Sequence, residues 1–282
     1  MQVVHSSLAA RTGSLPKPAG HAATGCAWRH ARLWFSLLLA WLLVLPIGTS
    51  RAETLQLNDM PARSLGASAE ILIEDGAPLN LAQAQASYRA GNFQPGRQDI
   101  LNFGIGARPV WLHLDLNNPT DQVLPMHLTV GATWIDQIDV FVVRPAGDVV
   151  HWQTGDEEPD AEGLAPGLGY ALPPRFSPGP SELYLRVESI DPMLIPLYLV
   201  TEDKFLDAQR VAGYVYGLIY GFLLAVCAYN LLLYAGLRER VYLYYSLYLI
   251  SIILGNIAYT GHGLAWFWPG QLLFQRYVIL VQ

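Results

Sequence analysis

The stretch from Val211 to Tyr234 constrains the fold of this chain more than any other part of the sequence. It runs for 24 residues without Asp, Glu, Lys or Arg. At about 1.5 Å per residue, a helix of this length crosses a hydrocarbon core of about 30 Å. The sequence therefore predicts a membrane-spanning helix, with an outer domain before it and a helical bundle after it.

Glycine recurs at every fourth position of this helix, and small residues at that spacing let another helix approach closely. The stripe consists of Gly213, Gly217 and Gly221. Near the far end, Asn230 carries an amide that is costly to leave unpaired in lipid. We therefore expect the three glycines and Asn230 to pack against partner helices. The alternative is that glycine is simply common in membrane helices.

Two further apolar stretches follow, at 241–258 and from Leu272 to Gln282. The turn before the first of them contains Arg238 and Arg240, which the positive-inside rule places in the cytoplasm. The outer domain then lies on the opposite side. Because the third stretch is still running at Gln282, we expect an incomplete span within a transmembrane region over 205–282.

The N-terminal 52 residues have the pattern of a secretory signal peptide. An apolar run at 33–47 follows Arg29 and Arg32, and small residues surround Arg51. This pattern predicts cleavage near Ala52, with an uncleaved signal anchor as the alternative. Either reading sends the segment from Glu53 onward across the membrane.

Residues 53–204 read as an outer domain of short alternating strands. The segment Val110–Leu116 alternates cleanly, and further strands are predicted at 126–130, 135–143, 149–154 and 183–187. Several short strands separated by turn residues predict an antiparallel β-sandwich. Residues 53–210 hold 22 acidic and 9 basic residues, which argues against binding to nucleic acid. Residues 53–204 contain no cysteine, which excludes disulfides and thiolate metal sites there.

Alternation also assigns the faces of two strands. Leucines on alternate positions point into the core, and the residues between them point outward. The predicted outward set is Trp111, His113 and Asp115 from one strand and Tyr184, Arg186 and Glu188 from the other. An aromatic ring beside polar groups suits a sugar, so this face is a candidate ligand-binding surface. The alternative is an ordinary solvated face with Trp111 covered.

The sequence contains none of the short motifs that are typical of catalytic or cofactor-binding sites in known enzymes. The acidic segment from Asp156 to Asp160 lacks the spacing of a calcium loop. Three histidines, His113, His127 and His151, fall on three different predicted strands. We therefore predict no enzyme activity, no cofactor and no metal site.

Several segments together resemble bacterial seven-transmembrane receptors with diverse intracellular signalling modules. In the outer domain these are 110–114 followed by Asn118-Pro119, 135–141, and 151–156; in the helical part they are 229–233, 238–240 and 242–245. The resemblance covers most of residues 65–282. It implies an extracellular domain of the second type, with a jelly-roll-like β-sandwich similar to carbohydrate-binding modules. It also implies seven helices and a cytoplasmic histidine kinase, diguanylate cyclase or phosphatase module, none of which is complete in this chain.

The sequence thus predicts the sensory half of a receptor in the bacterial inner membrane, with its N-terminal domain in the periplasm. The expected partners are the membrane, a small molecule or glycan, and a second copy or a partner receptor. We expect the signal to pass through the strand at 194–200 and a stiff connector at 201–210. The alternative is an accessory membrane protein whose sandwich docks on envelope polysaccharide or on another protein.

Overall fold

The computed structural model describes residues 54–157, 163–271, 274, 275 and 278. The predicted signal peptide at 1–52 lies outside the described residues, as does most of the predicted third span at 272–282. The described chain is a β-rich region followed by two long helices, which is the predicted architecture.

Short strands make up most of the β-rich region. In chain order they are β1 (Leu55–Gln56), β2 (Glu70–Ile73), β3 (Gln94–Pro95), β4 (Leu101–Gly104), β5 (Val110–Asn118), β6 (Leu124–Pro125), β7 (His127–Val130), β8 (Gln137–Val143), β9 (Val149–Thr154), β10 (Leu164–Ala165), β11 (Gly169–Leu172), β12 (Arg175–Phe176), β13 (Gly179–Glu188), β14 (Met193–Ile195) and β15 (Leu197–Val200). The helices are α1 (Leu81–Arg89), α2 (Glu202–Leu237) and α3 (Arg240–Tyr259), and a π-helical segment follows at Gly263–Phe267.

The strands form two main sheets. The larger has the order β3-β2-β5-β13-β8-β9, and β1 pairs in parallel with β5. The smaller has the order β10-β11-β7-β15, and two short pairs, β12 with β6 and β14 with β4, complete the described strands. The long strands β5 and β13 are antiparallel partners at the centre of the larger sheet, with Leu114 opposite Leu183.

Apolar residues from both sheets form one core between them, as expected for a β-sandwich. The strands β5, β13, β7 and β15 each contribute alternate leucine or valine side chains. These residues are Leu112, Leu114, Leu116, Leu183, Leu185, Val187, Leu128, Val130, Leu197 and Leu199. The inward faces predicted for β5 and β13 are therefore confirmed. The described residues of this buried cluster all lie between Leu57 and Leu199, so the sandwich fills its core without α2 and α3.

The Ala/Gln-rich stretch Leu81–Arg89, whose composition predicts a short helix stopped by Gly91, forms the helix α1 with these bounds. Its start is fixed by a capping box, in which the Asn80 side chain accepts a hydrogen bond from the Gln83 backbone at 3.0 Å and the Gln83 side chain accepts one from the Asn80 backbone at 2.9 Å. Just beyond its end, Gly91 adopts a φ of 77°, a conformation that favours glycine. These two features mark where α1 begins and ends in the chain between β2 and β3.

The helices α2 and α3 contain the two predicted spans at 211–234 and 241–258. With 36 and 20 residues, both are long and apolar enough to cross a membrane. Only Thr201 separates β15 from α2, so the connector predicted at 201–210 is the beginning of the helix itself. A sharp turn at Arg238, which has a φ of 59°, reverses the chain into α3.

Candidate functional site

The outer face of the larger sheet carries the predicted ligand-binding residues, but it is not open to solvent. Trp111 and His113 are fully buried, Tyr184 is 1% exposed and Arg186 is 8% exposed. The ring of Trp111 stacks on Phe141 of the neighbouring strand β8, with 5.8 Å between the ring centroids. The expectation of an open sugar-binding face is therefore corrected: these four side chains form a buried layer.

Helix α1 is what covers this face. Ala84 and Tyr88 lie one helical turn apart on α1 and pack in one apolar cluster with Phe93, Trp111 and Tyr184. The sequence predicts the helix but not the surface it packs on, because a nine-residue Ala/Gln-rich segment carries little hydrophobic pattern. The alternative considered for the sequence, that Trp111 is covered, describes the structure better.

A buried carboxylate organises one end of this layer. Glu74, which sequence reasoning missed, accepts hydrogen bonds from Trp111 Nε1 at 2.7 Å and from Arg186 Nε and Nη2 at 2.9 and 3.1 Å. The backbone N–H of Leu79 donates a further bond at 3.1 Å. The Arg186 Nη2 atom also contacts Glu188 at 2.8 Å, so two of the predicted residues do form a pair.

The network determines the ionisation of Glu74. Burial alone opposes the charged form, but the hydrogen bonds from Arg186, Trp111 and the Leu79 backbone outweigh it, and the pKa of Glu74 lies below its ordinary value. Hydrogen bonding to Glu74 likewise raises the pKa of Arg186. The pair is therefore charged at neutral pH, and it ties the end of β2 to β13.

A second polar cluster lies along the same face. His113 Nε2 is 3.6 Å from Asp115 Oδ1, and His113 Nδ1 is 3.8 Å from Glu70 Oε2. Glu182 stands directly opposite Asp115 in the pairing of β5 with β13. One ligand atom from each of His113, Asp115 and Glu182 lies within 4.8 Å of the other two. Alternation along β13 places Glu182 on this face. It is absent from the predicted set because the strand predicted at 183–187 begins one residue after it.

Two tyrosine hydroxyls hold the carboxylates of this cluster. Tyr88 donates to Asp115 Oδ2 at 3.0 Å, and Tyr184 donates to Glu182 Oε2 at 3.0 Å. Burial, together with Glu182, raises the pKa of Tyr184. The Tyr184 hydroxyl therefore stays protonated and acts as a donor.

An open cleft of about 410 Å³ lies at the edge of the larger sheet that β2 and β3 form, and its walls come from β2 and the segment 92–103. Its walls combine apolar side chains with amides and one guanidinium. Its walls include Ile73, Gln94, Arg97 and Phe103. None of the six predicted ligand-binding residues lines this cleft.

The sandwich also contacts the loop that follows α3. Thr133 Oγ1 donates to the carbonyl of Tyr259 at 2.5 Å, and the Trp134 ring stacks on the Tyr259 ring at 4.7 Å. The backbone N–H of Gly167 donates to the carbonyl of Thr260 at 2.8 Å. Two sandwich segments, 131–134 and 163–168, therefore dock on residues 259–261; this surface is called the docking surface below.

The sandwich also contacts α2 at two positions along the helix. Phe205 is buried against Ala165, Ala171 and the partly buried Val200, and its ring stacks on His127 at 4.2 Å. Farther along the helix, the Tyr216 ring packs so closely on Gly167 that a Cβ atom there would lie 2.4 Å from it.

The predicted helix-packing residues have different surroundings. Asn230 is 8% exposed, and its Nδ2 atom donates to the carbonyl of Val226 in its own helix at 2.8 Å. By contrast, a Cβ atom added at Gly213, Gly217 or Gly221 would meet nothing within 4 Å among the described residues. The glycine stripe therefore does not pack against α3, and its packing against other partner helices stays a prediction. The two helices cross instead near Cys227, where its carbonyl lies 3.4 Å from Ser246 Oγ.

Two family models match the chain, and together they cover most of it. Residues 66–201 match the model described as 7TMR-DISM extracellular 2, and residues 212–281 match the model described as 7TM diverse intracellular signalling. No individually curated protein matches the chain.

Among solved structures, the matches include crystal structures of exo-β-1,3-galactanase from Phanerochaete chrysosporium. A variant with β-1,3-galactotriose and the enzyme with galactose are each 11% identical to this chain, with a TM-score of 0.23. Each alignment covers 48% of this chain and 26% of the galactanase chain. The chain thus spans about a quarter of the length of these structures, and at this TM-score they carry no inference about its function.

Proposed function

Because the chain belongs to the 7TMR-DISM family, with an extracellular domain of the second type and the family's seven-helix region, we propose that it is the sensory half of a bacterial inner-membrane receptor. In this proposal the sandwich lies in the periplasm, the helices cross the membrane several times, and ligand binding is passed to a cytoplasmic output module. The observation that carries the proposal is the docking surface between the sandwich and the helices.

Charge and position support this orientation. Arg238 and Arg240 lie at the turn between α2 and α3, and arginines favour the cytoplasmic side. The docking surface lies at the opposite end of α3, next to Tyr259. A sandwich on the periplasmic side is consistent with both positions.

The ligand site in this proposal is the open cleft beside β2 rather than the buried face. Its apolar walls include Ile73 and Phe103, and its polar groups include Gln94 and Arg97. Amides and a guanidinium supply directional hydrogen bonds, and the apolar side chains pack on a ring face, which is the combination that a small molecule or glycan needs. The volume of about 410 Å³ accommodates one or two sugar rings.

In this proposal, the signal passes from the sandwich to the helices through their direct chain connection and through their packed contacts. The β-strand β15 enters α2 through Thr201 alone, and the two docking loops hold the loop after α3. A ligand shifts such an assembly between two states only by binding one of them more tightly. We therefore expect ligand binding to change the order of residues 202–210 and 256–268.

The test uses the chain in lipid nanodiscs and a panel of bacterial-envelope oligosaccharides as probes. For an oligosaccharide that binds, Arg97→Ala and Phe103→Ala should each weaken binding about tenfold or more. Arg175→Ala, which removes an exposed arginine outside the cleft, is the matched control. Equal affinity in all three variants would assign the ligand to another surface.

Signal transmission is read separately, by hydrogen exchange of 202–210 and 256–268 with and without the bound oligosaccharide. We expect a change in both segments, and a loss of that change when four glycines are inserted after Asp207. A ligand that binds but leaves both segments unchanged would favour the accessory-protein alternative, in which the sandwich docks on polysaccharide without signalling.

A further inference from the structure

Two acidic side chains face each other across the centre of the larger sheet. Asp115 and Glu182 are direct partners in the pairing of β5 with β13, and they lie on the same face. Like charges directly opposite each other destabilise an antiparallel pair. A cation between them removes that repulsion.

His113 supplies a nitrogen ligand beside these two carboxylates. It is fully buried, and its Nε2 atom lies 3.6 Å from Asp115 Oδ1. Ligand atoms around a tetrahedral Zn²⁺ are about 3.4 Å apart. The three ligand atoms here lie within 4.8 Å of one another, so the side chains need to close by at most about 1.4 Å. Asp115 has a side chain that is 25% exposed and has room to make this movement.

The groups around the cluster match those that support metal ligands. Metal-bound histidines usually face a carboxylate with their other ring nitrogen, and His113 Nδ1 lies 3.8 Å from Glu70 Oε2. Ligating carboxylates are themselves hydrogen-bonded, and Tyr88 and Tyr184 each donate to one carboxylate oxygen at 3.0 Å. Since Tyr88 binds Asp115 Oδ2, the other oxygen stays directed toward His113.

An entry path exists on the solvent side. Asp115 and Glu182 line a cleft of about 290 Å³. Arg144 lines the same cleft, and its charge is paired with Asp148 at 2.7 Å.

We propose that His113, Asp115 and Glu182 form a binding site for a divalent transition-metal ion, with Zn²⁺ as the best fit. One imidazole nitrogen with two carboxylate oxygens suits Zn²⁺, whereas Ca²⁺ and Mg²⁺ take oxygen ligands alone. The ion joins β5 to β13 and, through Tyr88, joins both strands to α1. This site is separate from the cleft beside β2 and does not depend on the proposed sensory function.

Isothermal titration of the chain in detergent, purified without a polyhistidine tag, tests the site. We expect one Zn²⁺ per chain, and little competition from a large excess of Ca²⁺. Asp115→Asn and Glu182→Gln should each weaken binding by about 100-fold, and Tyr184→Phe, which removes only the supporting hydroxyl, by about tenfold. Asp121→Asn, an exposed acid in a turn, is the matched control and should bind as the wild type does.

Three results would overturn the proposal: no stoichiometric Zn²⁺ binding, equal affinity in Glu182→Gln and the wild type, or displacement of Zn²⁺ by an equal concentration of Ca²⁺. Because a buried substitution can disturb folding, each variant is first compared with the wild type by circular dichroism. Glu182→Gln preserves volume and lies on the cleft, so it decides the question if Asp115→Asn fails to fold.

Discussion

Replacing Glu74 with Gln should destabilise the sandwich more than any change to its exposed charges. The substitution keeps the volume of the side chain but removes the charge that Arg186 and Trp111 contact. Breaking a buried ion pair by removing one partner typically costs about 3–5 kcal/mol, because the other charge stays buried. Arg186 retains Glu188, whose side chain is 47% exposed, so we expect the lower value, about 3 kcal/mol.

The adjacent residue provides a matched control. Asp75 contacts Arg108 at 2.5 Å, but its side chain is 92% exposed. Exposed pairs contribute about 0–1 kcal/mol, so Asp75→Asn should change the free energy of unfolding by less than about 1 kcal/mol. The two variants differ by one position in the chain and by the burial of the charge they remove.

The measurement is urea and thermal unfolding of the fragment 53–201, which contains every described residue of the buried core between the sheets. A loss of about 3 kcal/mol lowers the melting temperature by roughly 6–12 °C in a domain of this size. The double variant Glu74→Leu/Arg186→Met leaves neither charge buried and should be more stable than Glu74→Gln alone. If Glu74→Gln and Asp75→Asn had the same effect, the buried pair would not hold this layer together.

Three further outcomes are expected. Since the pKa of Glu74 is lowered in the folded state, its contribution is present above the ordinary value of 4.5 and is lost as the pH falls through the folded value, so the urea midpoint should fall less steeply with acid in Glu74→Gln than in the wild type. Gly167→Ala should increase hydrogen exchange at 259–263, because its Cβ atom meets Tyr216, whereas Gly147→Ala, at a similar φ in open space, should not. Ser246→Leu should destabilise the pairing of α2 with α3 by about 1–3 kcal/mol, measured by unfolding in detergent, because Ser246 is fully buried against Cys227.

Much of the sandwich follows from alternation in the sequence. The inward leucines of β5 and β13 have a period of two, and the same pattern assigns Trp111 and Arg186 to the opposite face. What the pattern does not predict is the cover over that face, because α1 packs on it with few apolar side chains: Ala84, Tyr88 and the partly buried Leu81. Partners such as Glu74 are also missed, since it lies 112 residues before Arg186 in the chain. Alternation identifies a face, but tertiary packing decides whether that face is exposed.

The helical part shows a similar division. Charge-free length predicts the spans within α2 and α3, and the Asp- and Lys-containing connector correctly reads as the start of α2. The glycine stripe at 213–221, the strongest packing pattern in the helix, faces away from α3. Contact between the two helices uses Cys227 and Ser246, which no spacing rule selects. Small-residue patterns predict a surface that permits close packing, and the partner helix decides whether it is used.

The position of the contacts along α2 determines which movements of the sandwich would move the helix. The helix is about 54 Å long, α3 about 30 Å, and both meet at the arginine turn, so the beginning of α2 extends beyond the end of α3. The sandwich holds this extension at Phe205 and again at Tyr216, about 16 Å farther along the axis. Two separated contacts fix the direction of a stiff helix as well as its position. A rearrangement that moves one contact relative to the other therefore tilts α2, whereas one that moves both together translates it.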